Sequence, residues 1–284
     1  MQFPSNAVPI VPCELDMDPS YPITTPARDG QQISDRPLAW LHHHDSLELG
    51  MCMEGSGVFM VDGELFPYEE GSAVLVPGEA VHNVQSAPGG GSLWRFVNFL
   101  PAELLPGELF EGLEHFLRGE GRPMVSREGT FPRLVGEIID LQLQRPPGYR
   151  DCVRGLVKSV LSLAAARSAE SPMAGSPPAG RDCLAAVQIM MAHYDEPLTV
   201  PELAVRCAVS ESTLRRAFRA MGYVSPADYL TRLRVRMAAL LLLRDDCSVL
   251  DAAERCGFGS VTSLERHFRR VMGVTPREWR RQHH

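Results

Sequence analysis

No run of about 18 apolar residues occurs in this chain, which argues against a membrane-spanning helix. The opening stretch, Met1 to Leu15, lacks a basic n-region and carries Pro4, Pro9 and Pro12, which argues against an ordinary signal peptide. No two of the 7 cysteines stand in C-x-x-C spacing. An odd, scattered set is what a reducing compartment tolerates, so buried thiols in a cytoplasmic protein are expected. Positive charge is also short: 28 Lys plus Arg face 35 Asp plus Glu, for a net charge of −7. Taken alone, that balance speaks against a nucleic-acid partner. What the chain does have is length, at 284 residues, and 44% apolar residues against 22% charged. That is enough to bury a core and to build one or two domains.

The charge is unevenly spread. Residues 182–284 hold 15 Arg and 12 acidic residues, a balance of +3, while residues 1–181 carry −10. Such asymmetry predicts an acidic domain and a basic one with different partners. The balance changes sign across Ala169–Gly180 (AESPMAGSPPAG), whose Pro, Gly, Ser and Ala content is that of a linker. The expected division is 1–168, a linker at 169–181, and 182–284.

The first segment reads as short β-runs followed by helices. Leu47–Glu54, Gly57–Asp62, Ala73–Pro77 and Leu93–Leu100 are apolar or alternating, with tight-turn signals at Gly55-Ser56-Gly57 and Asp62-Gly63. This spacing predicts a small barrel or sandwich at about 36–100. Residues 103–118 and 131–168 then turn helical, with Phe131, Leu134, Val135, Ile138 and Ile139 near a 3.6 period. Helices 103–168 can cap the barrel or pair with a second copy of the chain.

The second segment is helical and repeats itself. Thr199-Val-Pro-Glu202 and Ser248-Val-Leu-Asp251, 49 residues apart, both fit a helix-opening capping box. Each is followed by a short turn, Ala204-Val-Arg-Cys-Ala208 in one and Ala253-Glu-Arg-Cys-Gly257 in the other. Ser210-x-x-x-Leu214-x-Arg216-x-Phe218-Arg219 then aligns with Ser260-x-x-x-Leu264-x-Arg266-x-Phe268-Arg269. Each unit closes on an N-cap, a proline and an aromatic: Ser225-Pro226-x-x-Tyr229 and Thr275-Pro276-x-x-Trp279. The pattern predicts two helix-turn-helix units, at about 199–219 and 248–270.

In such a unit the first helix braces the second, which enters the major groove of DNA. Leu214 with Phe218, and Leu264 with Phe268, are four apart and should face the core. The opposite faces present Ser212, Thr213, Arg215, Arg216 and Arg219 in one unit, and Val261, Thr262, Glu265, Arg266, Arg269 and Arg270 in the other. Arginine can bind guanine bidentately, glutamate can accept from cytosine, and Val or Thr methyls suit thymine. Arginines late in each helix suit phosphates, which set register rather than sequence. Pro226 to Arg244 reads as one connecting helix, with Leu230, Leu233, Met237, Leu240 and Leu241 on a shared face. At roughly 28 Å it approaches the roughly 34 Å between successive major-groove faces, so it can hold both units on one side of a duplex.

These residues resemble the AraC/XylS family of bacterial transcription regulators over 182–281. The strongest stretches are Gly257-Phe258 through Arg266-x-Phe268-Arg269, Gly273-Val-Thr-Pro276 and Trp279-Arg280. Two departures stand in the first unit. Ala208 takes the place where the family usually has Gly, and Gly222-Tyr-Val-Ser225-Pro226 has one residue more than the usual G-x-S-P. By position, the family's base-reading sites fall on Ser212, Arg215 and Arg216, then on Val261, Thr262, Glu265 and Arg266.

In the acidic half, Leu41 to Glu48 contains H-x-H-x-x-x-E. On a strand, His42 and His44 share a face and His43 points the other way. Together with Gly71 and Pro77-Gly78-Glu79-Ala80-Val81-His82, this resembles the two cupin motifs over about 36–100. The resemblance puts His42, His44, Glu48 and His82 on the four metal-ligand positions. Three imidazoles and a carboxylate would suit Zn, Fe, Mn or Ni. Sensor domains of the same regulator family also resemble cupins, and many use these positions to hold an organic effector without metal. A divalent transition metal, direct contact with a small-molecule effector such as a sugar or other polar metabolite, and purely structural histidines therefore all stay open. Trp94, Phe96 and Phe99 can wall a pocket or pack the core, and Met51 and Met53 read as core.

The fold expected is multidomain α+β: a cupin-like β-barrel with flanking helices, then an all-α double helix-turn-helix domain. The function expected is a cytoplasmic, sequence-specific regulator that binds double-stranded DNA and is no enzyme. A small-molecule effector in the barrel would change promoter binding or RNA polymerase recruitment, with a homodimer adding a second DNA-binding domain. The alternative is a metal-dependent cupin enzyme, a dioxygenase or isomerase, fused to a DNA-binding domain.

Overall fold

The computed structural model describes residues 10–35, 41–118, 120–170, 181–220, 223–243 and 247–283. An N-terminal sheet-rich domain is followed by a C-terminal helical one.

Among the described residues the first domain has eleven strands: β1 (Ile10–Pro12), β2 (Ile23–Thr24), β3 (Gln31–Ser34), β4 (Leu41–His43), β5 (Leu47–Glu54), β6 (Ser56–Val61), β7 (Glu64–Glu69), β8 (Ala73–Val76), β9 (His82–Ser86), β10 (Gly91–Phe99) and β11 (Met124–Ser126). They form two sheets, ordered β1-β4-β9-β6-β7 and β11-β8-β5-β10-β2, with β3 also paired to β10. The four runs legible in the sequence are β5, β6, β8 and β10. Strands upstream of residue 36 and β11 lie outside the expected barrel span; each is two to four residues long, too short to show a period.

Alternation sorts the side chains. Cys52, Phe59, Val61, Tyr68, Val84, Trp94 and Phe96 pack together between the sheets. Leu47, Leu49, Leu75, Val97 and Phe99 point out of the second sheet into an apolar layer shared with the helices. Phe99 therefore cannot wall a barrel pocket: it sits one residue out of phase with Trp94 and Phe96. Met51 and Met53, read as core, are only half-buried, and Cys52 between them is buried.

The helical layer is α1 (Pro101–Leu104), α2 (Glu111–Leu117), α3 (Thr130–Gln144) and α4 (Tyr149–Glu170). The helical stretch expected over 103–118 is two short helices, interrupted at Gly107, whose φ is 74°. The stretch over 131–168 is broken too. Arg145 caps α3 in the left-handed conformation, and the following Pro146-Pro147 cannot continue a helix. Helix α4 lays Val153, Val157, Val160 and Leu161 onto this layer.

The second domain contains α5 (Arg181–His193), α6 (Val200–Arg206), α7 (Glu211–Ala220), α8 (Pro226–Leu241), α9 (Val249–Arg255), α10 (Val261–Met272) and α11 (Pro276–His283). The edges of the expected linker, residues 169–170 and 181, are helical, and residues 171–180 lie outside the described residues, as does Gly222. Helix α8 ends at Leu241, so the strut is about 24 Å long rather than 28, and Arg244 lies outside the described residues.

Among the described residues no helix is long and apolar enough to cross a membrane. Six cysteines are described, none of them in a disulfide with another described residue. Cys52, Cys247 and Cys256 are buried as expected, but Cys152 is exposed and Cys13 and Cys207 are half-exposed.

Candidate functional site

The two helix-turn-helix units match in the bonding of their turns and of their second-helix caps. In the first turn the Val209 amide donates to Ala204 O at 3.0 Å, and in the second the Phe258 amide donates to Ala253 O at 2.8 Å. Ser210 Oγ accepts from the Thr213 amide, and Ser260 Oγ from the Ser263 amide, so both second helices are capped alike. The bracing helices differ slightly. Ser248 and Asp251 make the full reciprocal capping box, whereas the first unit has only the Thr199 hydroxyl accepting from the Glu202 amide.

Leu214, Phe218, Leu264 and Phe268 are all fully buried. Phe218 meets Tyr229 edge-on at 5.3 Å, and Phe268 meets Trp279 edge-on at 6.3 Å, so each closing aromatic locks its own unit. With the apolar faces spent, the opposite faces are left to solvent. Ser212, Arg215, Arg216, Arg219, Thr262, Arg266 and Arg269 are exposed, while Thr213, Val261 and Glu265 are half-exposed.

Thr262, Glu265, Arg266, Arg269, Arg270, Thr275 and Arg277 line one groove of about 610 Å³. Thr275 and Arg277 were not among the expected contacts. Thr275 stands just before α11 and Arg277 in its first turn, which the fold brings beside α10. Arg215 pairs with Glu211 at 3.2 Å, and both ends are exposed, so the pair is weak and easily exchanged for a stronger anion. Arg270 instead reaches Asp228 at the start of α8, at 3.3 Å, and ties the second recognition helix to the strut.

The barrel cluster comes from four separate strands and one loop. His42 of β4 is paired directly with His82 of β9. Their rings lie 4.2 Å apart, and His44 lies 5.0 Å from His82. The three imidazoles can bring one nitrogen each within 4.8 Å of one another. Glu48 of β5 reaches His44 Nε2 at 3.3 Å and His82 Nε2 at 3.6 Å. All four expected residues thus meet. His43 points away and pairs with Glu79 at 3.0 Å on the surface.

A fifth member was missed. Asn98 of β10 donates from Nδ2 to Glu48 Oε2 at 3.1 Å and lies 3.2 Å from His44 Nε2. Its signal was present: Asn98 continues the inward row Trp94, Phe96 with an amide where an apolar residue would pack better.

The electrostatics divide the cluster. Burial raises the Glu48 carboxyl, but the His44 hydrogen bond and the surrounding imidazoles outweigh it and hold the group at about 2. Burial and the neighbouring His82 push His42 down to about 3. Burial likewise lowers His82, while for His44 the bond to Glu48 overcomes burial and raises it. His82 Nδ1 donates to Ala80 O at 2.8 Å, which leaves a lone pair on Nε2. That Nε2 and Asn98 Oδ1 are buried without a hydrogen-bond partner among the described residues. Both are acceptors, and a buried acceptor left unpaired costs free energy until something donates to it or coordinates it.

Residues 203–282 match the family described as "Helix-turn-helix domain", and residues 32–149 the family described as "AraC-like ligand binding domain". The chain is similar to the HTH-type transcriptional activator RhaS of Yersinia pestis (strain Pestoides F), 28% identical over 257 residues, covering 85% of this chain and 89% of that one. It is also similar to the HTH-type transcriptional activator RhaR of Cronobacter sakazakii, 24% identical over 272 residues and 93% of each chain. Among solved structures it resembles a transcriptional regulator with an AraC-type DNA-binding domain from Chromobacterium violaceum. There the identity is 31%, the coverage 36% of this chain and 91% of that one, and the TM-score 0.35. Both matched families, and both relatives matched over most of their length, are those of a transcription regulator rather than a metal-dependent dioxygenase or isomerase.

Proposed function

Since the chain belongs to the AraC family of transcription regulators and carries both the ligand-binding and the DNA-binding domain, we propose that α7 and α10 read two successive major-groove segments of one operator. The observation that carries this reading is the matched pair of arginine-bearing faces on α7 and α10. Each is exposed on a helix whose other face is fully buried. Arg216 and Arg266 occupy equivalent positions and suit bidentate contact with guanine. Ser212, Thr213 and Arg215 serve the first segment, and Val261, Thr262 and Glu265 the second. Arg219 and Arg269, later on their helices, suit phosphates. Thr275 and Arg277 would extend that phosphate contact around the groove. The domain limits we assign are 1–168 for the sensor, 169–181 for the linker and 182–284 for the DNA reader.

In the sensor, His42, His44, Glu48, His82 and Asn98 form the contact site for a small polar effector. A hydroxyl-rich compound supplies donors for His82 Nε2 and Asn98 Oδ1. A divalent transition metal fits the same side chains, because three imidazoles converge on one spot, the Glu48 carboxylate lies against two of them, and two acceptors are unpaired. His42, His44 and His82, joined by Glu48, would hold it, and it would supply a Lewis-acidic anchor for an oxygen of the effector. Effector binding alters transcription by shifting the balance between domain arrangements, with RNA polymerase as the protein partner. The relatives' printed role favours activation. Pairing of the α3–α4 layer between two copies would add a second DNA reader.

The experiment is twofold. Duplexes selected from a random library by the full-length protein should share two motifs about one helical turn apart. A thermal-shift screen of sugars and other polar metabolites, with and without Ni²⁺, should raise the melting temperature with at least one compound. Selected duplexes with a single short motif would refute the two-segment reading, and a screen without any shift would refute the sensor reading.

A further inference from the structure

The repeat sets Asp228 of α8 opposite Glu278 of α11, each the third residue after its helix cap. Glu278 directs its carboxylate locally. It accepts from the Thr275 amide and hydroxyl, both at 2.7 Å, and closes a capping box. Aspartate can close the same box, as Asp251 does by accepting from the Ser248 amide at 2.8 Å. Asp228 makes no such bond. Its amide donates to Ser225 Oγ at 3.1 Å, so α8 is capped, but its carboxylate turns to two arginines. Oδ2 accepts from Arg232 Nε at 2.9 Å, one turn along α8, and Oδ1 accepts from Arg270 Nη2 at 3.3 Å, across on α10. The Asp228 side chain is one-tenth exposed, so its end of the pair is shielded from solvent as the Arg215–Glu211 pair is not.

The first turn of α8 thereby holds both recognition helices. Tyr229, next to Asp228, is fully buried and meets Phe218 of α7 edge-on. Asp228 holds Arg270, which lies one turn beyond the base-reading candidate Arg266 on the same side of α10. The hold is unequal. At the place of Arg270 the first unit has Ala220, so α7 is located by apolar packing, and α10 by packing plus a directional ion pair.

We propose that Asp228 is a positioning and specificity-determining residue: it fixes the rotation of α10 relative to α7, and so the spacing between operator motifs that the protein accepts. The proposal rests on the reading that α7 and α10 occupy successive major-groove segments. One inserted base pair shifts the second motif by about 3.4 Å and rotates it by about 34–36°. A recognition helix held by its apolar face alone can roll through part of that angle. One held by a shielded carboxylate as well must first break the ion pair.

The test titrates full-length wild type, Asp228→Ala and Arg270→Ala with the selected operator and with duplexes whose motifs stand one or two base pairs closer or further apart. A duplex with one motif alone is the control. Wild type should bind at least about fivefold more weakly after a one-base-pair change, the cost of a single mismatch, and the two variants less than about twofold. Asp228→Ala should bind the single-motif duplex at least as tightly as wild type, because it removes a negative charge and no DNA contact. A merely structural role predicts the reverse, weaker binding to every duplex with the spacing penalty intact, and that result overturns the proposal. Should Asp228→Ala fail to fold, Arg270→Ala, at an exposed position, decides alone: a spacing penalty as sharp as that of wild type overturns the proposal. A wild type indifferent to spacing would refute the two-segment reading and the proposal with it. A wild type that discriminates, beside variants that discriminate as sharply, overturns the proposal alone.

Discussion

Ala208 and Gly257 occupy the same left-handed turn in the two helix-turn-helix units, with φ of 55° and 69°. The second is crowded as well: a Cβ there would meet Tyr194 O at 2.7 Å and Asp195 O at 2.8 Å. Alanine in this conformation costs about 1–2 kcal/mol. Ala208→Gly removes that strain but adds about 0.5–1 kcal/mol of backbone entropy, for a net gain of up to about 1.5 kcal/mol. Gly257→Ala should lose more than about 2 kcal/mol, since strain and the backbone clash add. Urea unfolding of both variants checks the pair; equal effects of the same sign would contradict it.

Arg216→Ala and Arg266→Ala should each weaken binding by about 1–3 kcal/mol and relax sequence preference at one position. The relaxed positions should fall in different motifs of the operator. Arg269→Ala should instead weaken binding to all duplexes alike and reduce the salt dependence by about one phosphate contact. Competition binding with single-base operator variants separates these outcomes.

Phe218→Ala and Phe268→Ala each remove a fully buried ring that meets its unit's closing aromatic edge-on. Each should cost about 3–5 kcal/mol of stability. Calorimetry or urea unfolding measures it, and a loss under about 1 kcal/mol would show that the ring is not a core element.

The stabilising effect of a responding ligand should vanish in Glu48→Gln and His82→Gln and shrink in Asn98→Ala. It should persist in His43→Gln, because His43 faces the surface and pairs with Glu79. Thermal shift on the four variants reads this directly. Loss of the response in His43→Gln alone would place the ligand outside the barrel.

The helical half was legible nearly to the residue, because its signals are local. A cap three residues from its partner amide, apolar pairs four apart and a proline at a helix start act within one or two turns. The flanking helices were drawn too long because the hydrophobic period was followed past two local breakers, Pro106-Gly107 and Pro146-Pro147-Gly148. The histidine pattern was legible from strand alternation, yet Asn98 was missed. It is 50 residues from Glu48, and only strand pairing brings the two opposite each other.

By itself, then, the amino-acid sequence determined that this chain has an acidic sensor and a basic, twice-repeated reader of DNA. Charge, capping and periodicity act over a few residues and survive without a partner. Only the tertiary structure decided that the barrel cluster has a fifth member, and that the outer face of the same strands is seated on α8. Those facts depend on register between distant strands and on contact between domains. Burial of β6 on two faces appears in the sequence merely as an apolar run, which fits a strand inside any core.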